Sequence, residues 1–245
     1  MENSVNSDQV EAPLSDYLLT AQNFDLEKLK TGSILLFDKP LHWSSFKLVK
    51  KVKYVTKAAR VGHAGTLDPL ATGLLIVCTG KCTKMIDQIQ NQAKVYTGTI
   101  TFGNTTPSYD LETEFDASFD YQHLSDQDLK DAAQYFTGDV TQTPPVFSAV
   151  KINGTRAYKF ARQGIEVEIK KRVIAISKFK ISGELPNIDF EVGCSKGTYI
   201  RSLANDFGLH LKSGSHLSAL RRTKIGDYHI NDAFNIEDFQ HLCGF

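Results

Sequence analysis

Long apolar runs are missing from this sequence of 245 residues. The longest, from Leu74 to Cys78, has five residues, whereas a helix that crosses a membrane needs about 20. The N-terminus also lacks the basic and then apolar pattern of a signal peptide. We therefore expect a cytoplasmic protein. Its 41% hydrophobic and 23% charged residues are typical of a globular chain that buries a substantial core.

Cysteine is scarce, and its four positions show no spacing typical of a zinc site. A chain of this length needs no disulfides to fold, so we expect reduced, unreactive thiols and no metal. A nucleotide-binding P-loop is also missing. Gly73 is separated from Gly80-Lys81 by six residues rather than four, and Cys82 stands where that motif has serine or threonine.

The chain also has no excess of positive or negative charge, because its formal net charge is zero. The charges are nevertheless unevenly distributed: residues 1–30 carry −4 and residues 105–139 carry −8, which leaves +12 on the remainder. All the motifs described below lie in that remainder, and a basic face there would suit a polyanion. An ordinary mixed surface with an acidic insertion would give the same pattern.

Strand patterns occur without regular βαβ alternation, and Asn153-Gly154 is a hairpin signal. The predicted strands are Gly32–Phe37, Leu74–Cys78, Lys94–Phe102, Val167–Ile181, Ile188–Cys194 and Ile225–Ile230. The acidic segment 105–124 has no clear period and is predicted to be a loop. These patterns predict an α+β fold with a mixed, mainly antiparallel sheet flanked by helices.

Helix patterns lie between these strands. The predicted helices start at Ser44 or Ser45, run from Met85 to Ile89, start at Ser125 and end near Gly138, and cover Tyr158–Ala161, Tyr199–Leu211 and Ile236–Leu242. Residues 1–30 are predicted to be an acidic tail with at most one short helix. Residues 31–245 then form one domain, because no interior linker is recognisable.

The helix that starts at Ser44 or Ser45 carries a lysine-rich face. Its lysines are Lys47, Lys50, Lys51, Lys53 and Lys57. Such a face is usually only solvated, but with Arg60 this one leads directly into a glycine-rich stretch.

That stretch, Gly62–Gly73, reads GHAGTLDPLATG. Its glycines permit tight turns, and Pro69 favours an extended conformation at Asp68. The carboxylate of Asp68 therefore lies on a stiffened turn before a buried strand. Taken alone, such an aspartate would more often cap backbone amides than do chemistry.

The stretch closely resembles the signature loop of the TruB family of pseudouridine synthases, which isomerise uridine 55 in the T-loop of tRNA. Cys194–Arg201 (CSKGTYIR) and Leu220–Arg222 (LRR) resemble two further family signatures. Lys39-Pro40 with Ser44-Ser45 is similar to the first family motif, although His42 stands where glycine is usual. The resemblance spans roughly Gly32–Ile230 and implies a pseudouridine-synthase fold.

The resemblance implies that Asp68 is the nucleophile and that Tyr96 is the active-site tyrosine. An ionised carboxylate suits this role, and an adjacent arginine, which we assign to Arg201, would keep it charged. An aromatic face must hold the extruded uracil, and the Tyr96 hydroxyl is available for proton transfer. Tyr199 and Leu220 are expected to complete the pocket.

Further residues are expected to contact RNA. His63 would fill the space left by the flipped base or stack within the T-loop. The candidate phosphate contacts are Lys84, Lys151, Arg221 and Arg222. Asp110 is predicted to be a partner of the arginine.

The resemblance implies no cofactor, because the isomerisation transfers neither electrons nor a phosphoryl group. The expected partner is the T-arm stem-loop of tRNA, with no obligate protein partner. Bacterial members commonly carry a C-terminal PUA domain, and we expect none here. Two alternatives stay open: an RNA-guided catalytic subunit like dyskerin, and a tRNA-binding or folding chaperone without turnover. The presence of Asp68, Tyr96 and Arg201 favours an enzyme over the chaperone.

Overall fold

The computed structural model of the chain describes residues 13–148, 150–152, 154–161, 163–165 and 167–245. The strands are β1 Leu18–Leu19, β2 Ile34–Lys39, β3 Val61–His63, β4 Ala71–Thr79, β5 Lys94–Phe102, β6 Asn104–Thr105, β7 Ala117–Ser118, β8 Gly138–Gln142, β9 Lys151–Ile152, β10 Thr155–Arg156, β11 Arg172–Glu184, β12 Asn187–Cys194, β13 Ser215–Ile225 and β14 Tyr228–His229. The helices are α1 Leu26–Thr31, α2 Ser45–Thr56, α3 Ile86–Gln90, α4 Asp126–Tyr135, α5 Ala157–Ala161, α6 Ile200–His210 and α7 Ile236–Leu242.

One large sheet organises the fold. Its order is β1-β2-β4-β13-β5-β12-β11-β8, with β3 added to β4 and β14 added to β13. Only the β1–β2 and β4–β13 pairs are parallel within the described part of the chain. The predicted α+β class with a mainly antiparallel sheet is therefore confirmed. None of the helices among the described residues is long and apolar enough to cross a membrane.

The central strands are buried on both faces, as their continuous apolar runs predict. Leu35 and Phe37 of β2 face the larger core together with α2, α4, α6 and α7, whereas Ile34 and Leu36 face a smaller core. The four cysteines are free thiols. Burial raises the pKa of Cys78 to about 12, so this thiol stays protonated near neutral pH.

Residues 13–30, which were predicted to be a tail with one short helix, contain that helix, α1, and also pack against the sheet. Leu18 and Leu19 pair with the start of β2, and Leu29 of α1 is completely buried. This segment therefore lies against the edge of the sheet. The rest of the predicted tail, residues 1–12, lies outside the described residues.

Two predicted strands had wrong bounds, and other strands were missed. The strand predicted at Ile225–Ile230 is instead the end of β13, a turn at Gly226 and the two residues of β14. Most of β13, which pairs with β14, and the edge strand β8 were not predicted, because their sequences are rich in polar residues. The strand predicted to start at Val167 starts at Arg172. The 105–124 loop contains the small β6–β7 hairpin.

Candidate active site

The turn before β4 holds Asp68 in place from two sides. Ser45, the first residue of α2, accepts a hydrogen bond from the Leu67 amide at 2.8 Å and donates one to the Leu67 carbonyl at 3.0 Å. The Ala71 amide donates to the Asp68 carbonyl at 3.1 Å, and the His42 amide donates to the Pro69 carbonyl at 2.8 Å. These hydrogen bonds fix the backbone on both sides of Asp68.

Arg222, on β13, binds the same loop. Its side chain is almost fully buried, with Nε donating to the Leu74 carbonyl at 2.8 Å and Nη2 to the Gly65 carbonyl at 3.1 Å. The guanidinium of Arg222 ties the loop to β13, so the structure gives this residue a structural role that the predicted phosphate contact did not include. A sequence motif does not distinguish a buried arginine from an exposed one.

Arg201 forms the central ion pair of the site. From the first turn of α6, its Nε lies 3.0 Å from Oδ2 of Asp68 and 3.6 Å from Oδ2 of Asp110. Its Nη1 donates to the Ser108 carbonyl at 3.1 Å and its Nη2 to the Phe147 carbonyl at 2.8 Å. The arginine is 4% exposed and thus has a fixed orientation toward the carboxylate. Asp110 lies where it was predicted, beside the arginine.

Asp68 itself faces open space. Its side chain is 42% exposed, because it points into a cleft that a ligand could fill. Burial against the cleft walls raises the pKa of the Asp68 carboxyl above its ordinary value, while the Arg201 guanidinium opposes this shift. Asp110 adds to the raised pKa through like-charge repulsion. The carboxylate is therefore only partly compensated, which suits a nucleophile.

A cavity of about 950 Å³ opens above the ion pair. Asp68, Arg201, Tyr96, Tyr199 and Leu220 all line it. These five residues come from the loop before β4, from β5, from the start of α6 and from β13. The structure therefore brings together residues that are up to 152 positions apart, and the size of the cavity accommodates a nucleotide.

Tyr96 lies on the floor of this cavity. Burial raises the pKa of its phenol above the ordinary value, and the neighbouring Arg222 guanidinium opposes the shift. The phenol is therefore protonated near neutral pH and has a hydrogen to donate. Its position on a central strand, paired with Val192 and Arg222, holds the ring rigidly.

The backbone of Tyr199 is held by the Gln142 side chain. The Gln142 side chain donates to the Tyr199 carbonyl at 3.0 Å and accepts from its amide at 2.8 Å. The Arg172 guanidinium lies 4.7 Å from the centre of the Tyr199 ring. Nε and Nη2 of Arg172 have no hydrogen-bond partner among the described residues. Arg172 lines the same cavity, and the sequence analysis did not single it out.

A smaller cavity of about 190 Å³ lies on the other side of the ion pair. It shares Asp68, Arg201 and Leu220 with the larger cavity. Its remaining lining is mostly apolar and includes Leu41, His42, Leu70, Asp110, Leu111 and Leu217. A polynucleotide could therefore occupy space on both sides of Asp68.

Comparison with known proteins identifies the family. A family model described as the N-terminal domain of TruB family pseudouridylate synthase matches residues 53–200. The chain belongs to the TruB family. A second model, the C-terminal domain of tRNA pseudouridylate synthase B, matches residues 201–244. The boundary between the two matches falls at the start of α6, inside the common core.

Curated relatives of this family are similar over most of the chain. A tRNA pseudouridine synthase B of Flavobacterium johnsoniae is 53% identical over 222 residues, covering 87% of this chain and 97% of the relative. One from Phocaeicola vulgatus is 48% identical over 217 residues, covering 86% and 92%.

Solved structures give the same fold. A Cbf5-Nop10-Gar1 complex contains a chain that matches with a TM-score of 0.69 at 25% identity. The match covers 92% of this chain and 59% of that chain, so the present protein spans about three-fifths of its length. An H/ACA RNP bound to a substrate RNA containing 2'-deoxyuridine matches with a TM-score of 0.66 at 21% identity, covering 96% and 60%.

The other described residues predicted from the TruB resemblance to contact RNA do not line these cavities. Of the described residues that line the two cavities, none is His63, Lys84 or Arg221. His63 lies on β3, where burial lowers its pKa and keeps the ring neutral. Lys84 is exposed in the 3-10 helix that follows β4.

Arg221 is not a free cation. Its Nη2 lies 2.6 Å from Oδ2 of Asp38, and its Nη1 lies 3.0 Å from Oδ1. This bidentate, partly exposed pair occupies the guanidinium edge that a phosphate contact would use. The side chain of Lys151 lies outside the described residues.

Metal ligands are not clustered in the part of the chain that the structure describes. There, no three His, Cys, Asp or Glu side chains lie close enough together to hold an ion.

Proposed function

We propose that this chain is a tRNA pseudouridine synthase that isomerises the T-loop uridine at position 55, with Asp68 as nucleophile. The observation that carries the proposal is the ion pair between Asp68 and Arg201 at the junction of two cavities. An ionised carboxylate in a cleft of nucleotide size, beside a buried tyrosine, matches what the reaction requires. The location we propose for this activity is the cytoplasm.

The reaction is balanced within the nucleotide. The bond between ribose C1′ and uracil N1 breaks, the uracil turns, and a bond between C1′ and C5 forms. C5 loses one proton and N1 gains one, so no co-reactant is consumed. Asp68 supplies the nucleophile, and Arg201 fixes the geometry of the carboxylate and offsets its charge.

The uridine must leave the stack of the T-loop before it reaches Asp68. Tyr96 would hold the uracil against its ring, and Leu220 and Tyr199 would close the sides of the cavity. Extrusion from a loop costs less than extrusion from a duplex, which favours a loop substrate. His63 would then contact the loop from outside the cavity.

We also propose that residues 31–245 work as one catalytic domain. The support is that Arg201 and Leu220 lie within the C-terminal family match, whereas Asp68 and Tyr96 lie within the N-terminal one. All four residues line the larger cavity. Separating the two matched segments would therefore divide the site.

The decisive experiment compares wild type with Asp68→Asn, which is nearly isosteric but removes the charge. We expect pseudouridine at position 55 with wild type, none with Asp68→Asn, and unchanged tRNA binding. Asp227→Asn removes an exposed carboxylate outside both cavities and is the control. Residual turnover of Asp68→Asn within tenfold of wild type would contradict the role of Asp68.

Mapping of pseudouridine in tRNA from cells that lack the protein tests the substrate. Loss at position 55 alone supports the proposal. An unchanged tRNA, together with tight tRNA binding in vitro, would favour the chaperone alternative. Modification that requires an added guide RNA would favour the RNA-guided alternative.

A further inference from the structure

The exposed side of α2 carries a continuous row of cations and aromatic rings. Six exposed side chains, each three or four residues from another member of the set, share this side. We call them the α2 strip: Phe46, Lys47, Lys50, Lys53, Tyr54 and Lys57. The opposite side of the helix, with Leu48, Val49, Val52 and Val55, packs into the larger core.

The strip has one sign of charge. Residues 41–66 contain five lysines, one arginine and no acidic residue. None of the strip lysines forms an ion pair with any residue that the structure describes. The first turn of α2 also contains Lys47 and no acid, which opposes the helix dipole. Neighbouring lysines repel one another, so the strip lowers the stability of its own helix.

Aromatic rings keep these lysines at the surface without neutralising them. Lys47 Nζ lies 4.1 Å from the centre of the Trp43 ring, and Lys50 Nζ lies 4.8 Å from that of Phe46. Phe46 and Tyr54 are 62% and 67% exposed, so both rings are accessible, and the centre of the Tyr54 ring lies 5.7 Å from that of Phe245. Cations interleaved with exposed rings are typical of a surface that binds a polyanion.

The strip starts at the active site. Ser45, beside Phe46, holds Leu67 through two hydrogen bonds, and Leu67 precedes Asp68. Leu41 and His42, three and two residues before the capping Ser44, line the smaller cavity. The 12 residues of α2 extend about 18 Å from there, so the strip forms a track that leads away from Asp68.

We propose that the α2 strip binds the phosphate backbone of the base-paired stem adjoining the target loop, a proposal that rests on the function proposed above. Lysine donates hydrogen bonds and accepts none, so the strip suits phosphates better than base edges. Base-paired RNA is recognised mostly through its shape and backbone, which fits a row of point charges. The loop occupies the cavities, and the stem then follows the track.

The test uses Lys47→Gln/Lys50→Gln/Lys53→Gln, which removes three charges without altering the buried side of α2. Its matched control, Lys28→Gln/Lys130→Gln/Lys180→Gln, removes three exposed charges elsewhere. The corresponding triple arginine variant keeps the charges of the strip. Thermal melting verifies that each variant is folded. The substrates are a T-arm stem-loop with its full stem and the same loop on a stem shortened to two base pairs.

We expect the strip variant to bind the full-stem RNA more weakly, with the slope of log affinity against log salt shallower by about two units. Binding of the short-stem RNA and the single-turnover rate at saturating enzyme should not change. An unaltered slope on the full stem, an equal loss on both RNAs, or an equal loss in the control would overturn the proposal. If the proposed function is wrong, the wild-type protein will form no pseudouridine. The binding measurements will still decide whether the α2 strip binds the stem.

Discussion

Tyr96 is a buried tyrosine on a central strand. Holding the uracil against its ring would not require its hydroxyl group. Tyr96→Phe keeps the ring and removes the proton. If the hydroxyl takes part in proton transfer, the single-turnover rate should fall by about 10²–10⁴-fold with little change in tRNA affinity. Rapid-quench measurement of pseudouridine formation tests this.

Tyr228→Phe is the matched control, because Tyr96 and Tyr228 are both 9% exposed. Tyr228 belongs to the smaller core, away from the cavities, and burial raises its pKa to about 12. It should lose neither rate nor affinity. An unchanged rate for Tyr96→Phe would reduce Tyr96 to a packing residue.

The fall in rate at acid pH, the acid limb of the pH–rate profile, is expected to follow protonation of the Asp68 carboxylate. Because burial raises its pKa, activity should decline, as pH falls, at a higher pH than an ordinary aspartate would give. Arg201 opposes that shift, so Arg201→Gln should move the limb to still higher pH. Arg201→Lys keeps the charge and should leave the limb close to that of wild type.

Arg221→Gln is the control for this profile, since Arg221 is paired with Asp38 and not with Asp68. Its acid limb should coincide with that of wild type. If the limb of Arg201→Gln stayed in place or moved to lower pH, the Asp68–Arg201 pair would not be the titrating unit.

At the scale of elements, the parallel contact between β4 and β13 builds the site. It pairs Leu220 with Ala71 and Arg222 with Gly73, and so carries the LRR motif to the signature loop. Gly73 has a φ of +100°, and a Cβ there would lie 2.3 Å from the Arg222 carbonyl oxygen. The glycine is needed for both the backbone conformation and the close approach of β13.

Gly73→Ala separates these two requirements when it is compared with Gly138→Ala. Gly138 has a φ of +102° but open space around its Cβ position. Both changes should cost about 1–3 kcal/mol for the backbone conformation. Gly73→Ala should cost about 1–3 kcal/mol more for the steric overlap. Denaturant unfolding measures both, and equal losses would mean that β13 moves aside freely.

At the scale of the whole molecule, charge is concentrated where RNA is expected to bind. The net charge is zero, but residues outside 1–30 and 105–139 carry +12. Recognition by this part of the chain predicts that a T-arm stem-loop is modified nearly as well as whole tRNA, and that affinity falls steeply with salt. Turnover on both substrates measures this. A strong preference for whole tRNA, or affinity insensitive to salt, would contradict it.

The structure changes one expectation at this scale. The sequence alone makes Arg221 a phosphate contact whose removal reduces the salt dependence. Because Asp38 already holds the guanidinium, Arg221→Ala should leave the salt slope unchanged. A shallower slope by about one unit would mean that RNA displaces Asp38.

The sequence by itself determined the family and the fold class and proposed the central residues, because short motifs such as GHAGTLDPLATG and CSKGTYIR are local. Strands with a strong apolar pattern, such as β5, were predicted with correct bounds for the same reason. The polar strand β13 was missed, since its burial depends on partners more than 100 residues away. Only the tertiary structure decided that Arg222 is buried under the loop, that Arg221 is paired with Asp38 and that Arg172 covers Tyr199. Burial and charge pairing arise from contacts between distant segments, which the order of residues along the chain does not encode locally.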